Sequence, residues 1–300
     1  MANEKEINAL ITLIDDPDEK IYSQIRDKLL SYGPEVIPAL ENFWENNRYG
    51  LVFQNRIENI IHQIQFDSVR IQLENWVNEG ANDLLQGVLL VNRYQYPDLD
   101  EGKIRKKLNQ LKQDVWLELN DNLTSFEQVK ILNHILFEVH GFDGNKKNYH
   151  APQNSYLNNV LESGKGNPLS LSIIYILLCE QLDIPIKGVN LPNHFVLCYL
   201  DELNLLKKLG QDHPDGVMFY INPFSRGTIF NAKEIEQFLA ELKIKPRPEF
   251  FQPCDNLAIV RRLITNLIYS YEKSGYPDKV EELKLLYQCV DAGEDPNGTI

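Results

Sequence analysis

Residues 154–200 read NSYLNNVLESGKGNPLSLSIIYILLCEQLDIPIKGVNLPNHFVLCYL, and their periodicity changes twice within that span. A Gly-containing turn at Lys165-Gly166-Asn167 opens a helix at Pro168, since proline suits the first helical position, where its missing N–H has no partner to lose. The apolar run then reaches Leu182, and Asp183-Ile184-Pro185 turns the chain into strand-like IKGVN and HFVLCYL, the second headed by His194. Downstream, VMFYI and GTIF repeat the strand signal, with Asn222 directly after the first of them. Upstream, DLLQGVLLVNRY, KIRKKLNQLKQDVWLELN and SFEQVKILNHILFEVHG keep helical spacing, a Gly- and Asn-rich loop (GFDGNKKNYHAPQN) follows, and a further helix is expected over Ser155 to Glu162. Helices followed by successive short strands predict an α+β fold, predominantly helical, with a small antiparallel sheet.

On either side the pattern is helical throughout. From Glu6 to about Trp76 apolar residues return at helical spacing, as in Leu10, Leu13, Ile14 and Ile21, Ile25, Leu29, with breaks at Asp15-Asp16-Pro17-Asp18 and Tyr32-Gly33-Pro34. The run ALITLIDDPDEKIYSQIRDKLLSYGPEVIPALENF resembles a HEAT repeat. A single such unit cannot bury its own face, so it is expected to stack on the helices spanning Asn55 to Asn78. At the other end LAIVRRLITNLIYSYEKSGYPDKVEELKLLYQCV gives two helices broken at Ser274-Gly275-Tyr276-Pro277. Its Leu267, Tyr271, Gly275, Tyr276 and closing Pro296 resemble one tetratricopeptide repeat, expected to cap the core. The organisation expected is therefore a HEAT-like region over 1–82, a core over 83–246 and a tetratricopeptide-like pair over 247–300.

Composition narrows the function classes. Hydrophobic residues make up 43% and charged residues 24% of the 300, as in ordinary folded proteins. A net charge of −13 and a pI near 5.0 disfavour nucleic acid as a partner, because phosphate binding relies on clustered Lys and Arg. The first twenty residues carry acids where a signal peptide has its basic region, and no apolar run is long enough to span a membrane, so a cytoplasmic protein is expected. Cys179, Cys198, Cys254 and Cys289 are widely spaced in apolar contexts without a CxxC pair, which suits structural thiols. His62, His134, His140, His150 and His213 show no pairing at metal spacing, so no metal and no cofactor are expected. Lys146-Lys147, Asp98 to Glu101 and Glu281-Glu282 read as solvated charge.

The order of elements in the middle stretch, with G-x-P-x-S-L at Gly166 to Leu171, the IIY that follows, P-x-H-F at Pro192 to Phe195 and N-P-F-x-x-G at Asn222 to Gly227, resembles the SirB-type family of the transglutaminase-like superfamily. The resemblance spans about Asp83 into the C-terminal repeat. It implies a papain-like core in which a Cys at a helix N-terminus, a His on the following strands and an Asp or Asn beyond it form a thiol triad. The physical logic is that a helix N-terminus lowers a thiol's pKa, a His moves the proton, and the third residue orients the ring. By that resemblance His194 and Asn222 fill the second and third places, with an amide that orients an imidazole but lends it no charge. The nucleophile's place falls at or beside Pro168, which has none.

No other residue takes that place cleanly. Cys179 lies about 16 Å further along the helix at 1.5 Å per residue. Cys198 shares His194's strand face but about 13 Å away. Ser170, in the helix's first turn, reads either as a substitute nucleophile or as a residue bonded to local backbone. His194 reads either as a functional imidazole or as a hydrogen-bonded turn residue. Two functions follow: a pseudoenzyme that binds another protein or peptide, or a hydrolase or acyl transferase using His194 with Ser170.

Overall fold

The computed structural model describes residues 4–45, 50–201 and 216–291; His213 and Pro296 lie outside the described residues. Three short helices, α1 (Glu4–Thr12), α2 (Glu19–Leu30) and α3 (Ile37–Glu45), precede the long α4 (Leu51–Asn78). Asp18 caps α2 by accepting from the Lys20 N–H, and Pro34 sits in the 3₁₀ turn before α3. Ile11, Ile14, Leu29, Val36 and Leu40 bury against Phe53, Ile57, Ile60 and Ile64 of α4 and form a core of their own. The second half of α4 turns Val69, Leu73 and Trp76 into a different, larger core. One helix thus belongs to two cores.

The larger core gathers α5 (Leu84–Gln95), α6 (Glu101–Trp116), α7 (Ser125–Asn133), α8 (Leu157–Ser163) and α9 (Pro168–Gln181). α7 runs on as a π-helical turn over His134–Val139. α9 is apolar all round, with every residue from Pro168 to Cys179 buried, so it forms the central post of the core. A 3₁₀ turn at Pro152–Ser155 precedes α8, which therefore starts at Leu157 rather than at Ser155. Before α9, β1 (Asp143–Gly144) and β2 (Lys165–Gly166) pair in parallel for two residues.

Four strands, β3 (Ile186–Leu191), β4 (His194–Leu200), β5 (Val217–Asn222) and β6 (Thr228–Phe230), form an antiparallel sheet in chain order. Alternation gives the sheet two apolar faces. Phe195, Leu197, Tyr199, Phe219 and Ile221 join the core around α9. Val189, Leu191, Val196, Cys198 and Tyr220 pack instead against Ile235 and Leu239 of α10 (Ala232–Glu241). The chain closes with the antiparallel pair α11 (Asn256–Ser274) and α12 (Pro277–Val290), turned at Gly275, whose φ of +76° favours glycine. Leu263, Leu267, Leu283 and Leu286 of this pair are fully buried in the larger core. The fold is α+β and predominantly helical, and no described helix is long and apolar enough to cross a membrane.

Candidate functional site

The N-terminus of α9 is held by a reciprocal cap. The Asn167 side chain accepts from the Ser170 N–H at 2.9 Å, and Ser170 Oγ accepts from the Asn167 N–H at 3.0 Å. Asn167 Nδ2 also donates to Ser155 Oγ at 2.9 Å, so its amide is committed on both sides. Ser170 is 2% exposed, and a Cβ at Gly166 would lie 2.6 Å from its Oγ, so glycine is what lets the chain pass over it. Pro168 fills the first helical position and carries no reactive group. The helix start offers a positive dipole end with a hydroxyl engaged in holding backbone and no thiol beside it.

His194 and Asn222 do come together. Pro192 and Asn193 make the two-residue connection between β3 and β4, with Leu191 paired to His194 and Asn193 at φ +56°. Ladder pairing of β4 with β5 stops at Leu197–Ile221, and Asn222 ends β5. There its Oδ1 accepts from the Phe224 and Ser225 N–H groups at 3.1 and 3.3 Å, closing the turn that follows. Burial pulls the His194 pKa down. A hydrogen-bonding interaction with the Asn222 side chain acts the other way, and the positive charge of Arg262 adds to the lowering. The net effect keeps the imidazole neutral at pH 7.

The face of the sheet decides what this pair can reach. By alternation His194 lies with Val196 and Cys198 on the α10 side, and its ring centre is 6.1 Å from that of Phe238 on α10. α9 packs on the opposite face. Among the described residues no hydrogen bond joins His194 to α9 or to its cap Asn167. Ser170 and His194, the two groups a serine mechanism needs in contact, each bond elsewhere.

The thiols are held neutral. Cys179 is fully buried beneath α9's surface and burial pushes its pKa well up. Burial likewise pushes Cys198 and Cys254 up to about 12 and Cys289 to about 11. Among the described residues no three His, Cys, Asp or Glu side chains converge at metal-binding distance. Two surface hollows, one lined by Glu41, Trp44, Glu58 and His62 and one by Asp83, Arg105, Leu177 and Glu180, include none of His194, Asn222 or Ser170.

Two residues that shape this region, Asn133 and Arg262, lie outside the quoted motifs. Asn133, at the end of α7, donates to the Gly227 carbonyl at 2.8 Å and accepts from Tyr175 of α9 at 3.3 Å. It thereby ties the turn after Asn222 to the central helix. Gly227 has φ +74°, and a Cβ there would fall 1.9 Å from Asn133 Oδ1. Arg262 of α11 reaches the β3–β4 end, donating to Asn190 Oδ1 at 2.9 Å and to the Leu191 carbonyl at 3.1 Å. An arginine pair inside the apolar LAIVRRLITNLIY pattern was the sequence signal for it.

A central buried helix followed by an antiparallel sheet, with a His at the start of one strand and an Asn at the end of the next, is an architecture of the transglutaminase-like class. The profile of the Transglutaminase-like superfamily matches residues 102–265, more than half of the chain, and the chain belongs to that superfamily. It is similar to a UPF0162 protein of Xylella fastidiosa strain 9a5c, 27% identical over 68% of this chain and 70% of that one. A UPF0162 protein of Vibrio cholerae is 25% identical over 70% of this chain and 72% of its own length. Human F-box only protein 21 is 24% identical over 51% of this chain, a match that covers 23% of that longer protein. No solved structure matches the chain.

Proposed function

We propose that this protein is a pseudoenzyme, a transglutaminase-like fold of the SirB-type branch that works as a binding or scaffold module for another protein or peptide. The observation that carries the reading is the start of α9: Asn167-Pro168 stands where the thiol would be, and the Ser170 hydroxyl is engaged in the cap. Acyl transfer needs an activated nucleophile within reach of its base, and the alternation of β4 turns His194 toward α10. The match inside a much longer F-box only protein fits a portable module. The HEAT-like and tetratricopeptide-like helices at the two ends are the proposed partner-facing additions, and the widely spaced, neutral thiols fit a reducing cytoplasm.

The alternative is a hydrolase or acyl transferase in which Ser170 breaks its cap and meets His194. Profiling the purified protein with acyl, amide and ester probes, read by intact mass, separates the two. No adduct and no turnover are expected. An adduct mapped to Ser170 and lost in His194→Ala establishes the alternative.

A further inference from the structure

Arg262 stands out among the arginines. Of those in the described residues, only Arg226 and Arg262 lack a carboxylate within salt-bridge distance, and Arg226 is exposed. In a chain with a net charge of −13, a partly buried guanidinium without an acid is a conspicuous exception. Its Nη1 is satisfied by Asn190 and Leu191, and its Nε faces Asn266 Oδ1 at 3.4 Å. Among the described residues Nη2 has no partner, which leaves two N–H donors free. The groups that act on its charge are Tyr149 and Cys254, and burial raises the pKa of both, so both are neutral at pH 7. The positive charge therefore has no anion of its own.

Beside it lies an aromatic shelf. Tyr149, 39% exposed, packs edge-on to Phe224 at 5.7 Å and to His150 at 5.1 Å, and His150 in turn packs edge-on to Tyr269, which is 42% exposed. Tyr269 lies seven residues after Arg262 on α11, two turns along the same side of the helix. The Lys273 ammonium sits 5.3 Å from the Tyr269 ring centre, adding a second positive charge at the far end.

We propose that Arg262 and the Tyr149–His150–Tyr269 shelf form a recognition site for a carboxylate-bearing ligand, with the carboxylate on Arg262 Nη2 and an apolar or planar body against the two tyrosines. The proposal rests on the binding-module reading and names the chemistry that module selects. A carboxylate fits because it is an ionised acceptor for the N–H groups left on Nη2 and supplies the charge Arg262 lacks, and because a partly desolvated charge-assisted bond is stronger than an exposed one. The carboxylate belongs either to a small organic acid or to the C-terminus of a peptide.

Titration of the full-length protein, by calorimetry and by ¹H–¹⁵N NMR, tests it with four probes: benzoate, an N-acetylated dipeptide ending in Phe with a free carboxylate, the same dipeptide as its C-terminal amide, and inorganic phosphate. The free acid is expected to bind about tenfold or more tightly than the amide. Arg262→Gln is expected to lose that margin and Arg262→Lys to recover part of it. Because Arg262 also holds the end of β3, Tyr269→Ala serves as the second variant: exposed, it should leave the melting temperature unchanged and weaken the acid several-fold. Tighter binding of the dipeptide acid than of benzoate assigns the carboxylate to a peptide end, and the reverse order assigns it to a small molecule. Equal binding of acid and amide, undiminished binding by Arg262→Gln, phosphate binding tighter than both carboxylates, or no binding by any probe overturns the proposal. An adduct or turnover with binding retained removes the non-catalytic reading and leaves this one. No binding with no adduct does the opposite.

Discussion

The two ends of the chain are both helical, yet they are built into the molecule differently. At the N-terminal end α1, α2 and α3 bury Ile11, Leu29 and Leu40 among themselves and against the first half of α4, in a core that shares no buried residue with the larger one. At the C-terminal end α11 and α12 have no core to themselves. Their Leu263, Leu267, Leu283 and Leu286 complete the core that also holds α5 and α9. A helical pair can therefore look the same in sequence and be either a satellite or a structural wall. The difference lies in which apolar faces it leaves its neighbours to cover.

The largest expected effect breaks this comparison at its root. A chain ending at Gln252 loses four fully buried leucines among other apolar groups, each representing about 2 kcal/mol of transfer free energy. That sum approaches the whole 5–15 kcal/mol by which a domain is typically stable. The truncated protein is expected to aggregate or to lack a cooperative melt by circular dichroism. A chain starting near Leu51 keeps every residue of the larger core and is expected to melt cooperatively, although the uncovered Phe53 and Ile57 should lower its solubility. If the first protein melts like the full chain, the C-terminal pair is an appendage after all.

Single substitutions sharpen the same contrast. Leu267→Ala and Leu29→Ala each remove a fully buried leucine, for an expected loss of about 3 kcal/mol. Their reach should differ. Hydrogen exchange in Leu29→Ala is expected to rise in α1 to α3 and the first half of α4 alone, and in Leu267→Ala to rise in α5, α9 and α11 together. Uniform acceleration by both would show one cooperative unit rather than two cores.

Much of this was legible in the sequence for a physical reason: local signals with hard steric content survive any context. Pro168 after Gly166-Asn167 marks a helix start, and the observed α9 differs from the expected helix by one residue at its end. The β3, β4, β5 and β6 strands fall where Pro, Asn and Gly bracket the apolar runs. The parallel β1–β2 pairing is not legible, because Asp143-Gly144 reads as loop and Lys165-Gly166 as turn and the two meet only through the tertiary fold. At the site, the approach of His194 and Asn222 was expected from the resemblance, and the period of two already put His194 on the face of Cys198. What that face packs against was not readable, because α10 lies some forty residues downstream of β4's start and its docking is set by the whole sheet. The missing carboxylate beside Arg262 was equally hidden, since an unpaired charge is a fact about neighbours.

The smallest expected effect lies where the two ends meet. His62, on the N-terminal half of α4, has its Nε2 2.5 Å from Glu282 Oε1 of α12, and Glu282 also accepts from the Tyr94 hydroxyl at 2.8 Å. The hydrogen bond to Glu282 raises the His62 pKa above its usual value; at Glu282 burial acts to raise the pKa, but the bonds from His62 and Tyr94 together with the charges of His62 and Lys279 lower it on balance. The raised histidine contributes stability that is complete below its unfolded pKa of about 6.5 and fades as pH rises through the folded value. The lowered carboxylate contributes stability present above about 4.5 and lost as pH falls through its folded value. The pair is therefore strongest between about pH 4.5 and 6.5. With the His62 side chain 51% exposed, its coupling should be under about 1 kcal/mol. A double-mutant cycle of His62→Ala and Glu282→Gln, run on melting temperature at pH 5.5 and pH 9, should give a measurable coupling at the first and little at the second. A coupling that does not change with pH would mean that the two ends are joined by packing of α4 on α12 alone, and that the ion pair only decorates the seam.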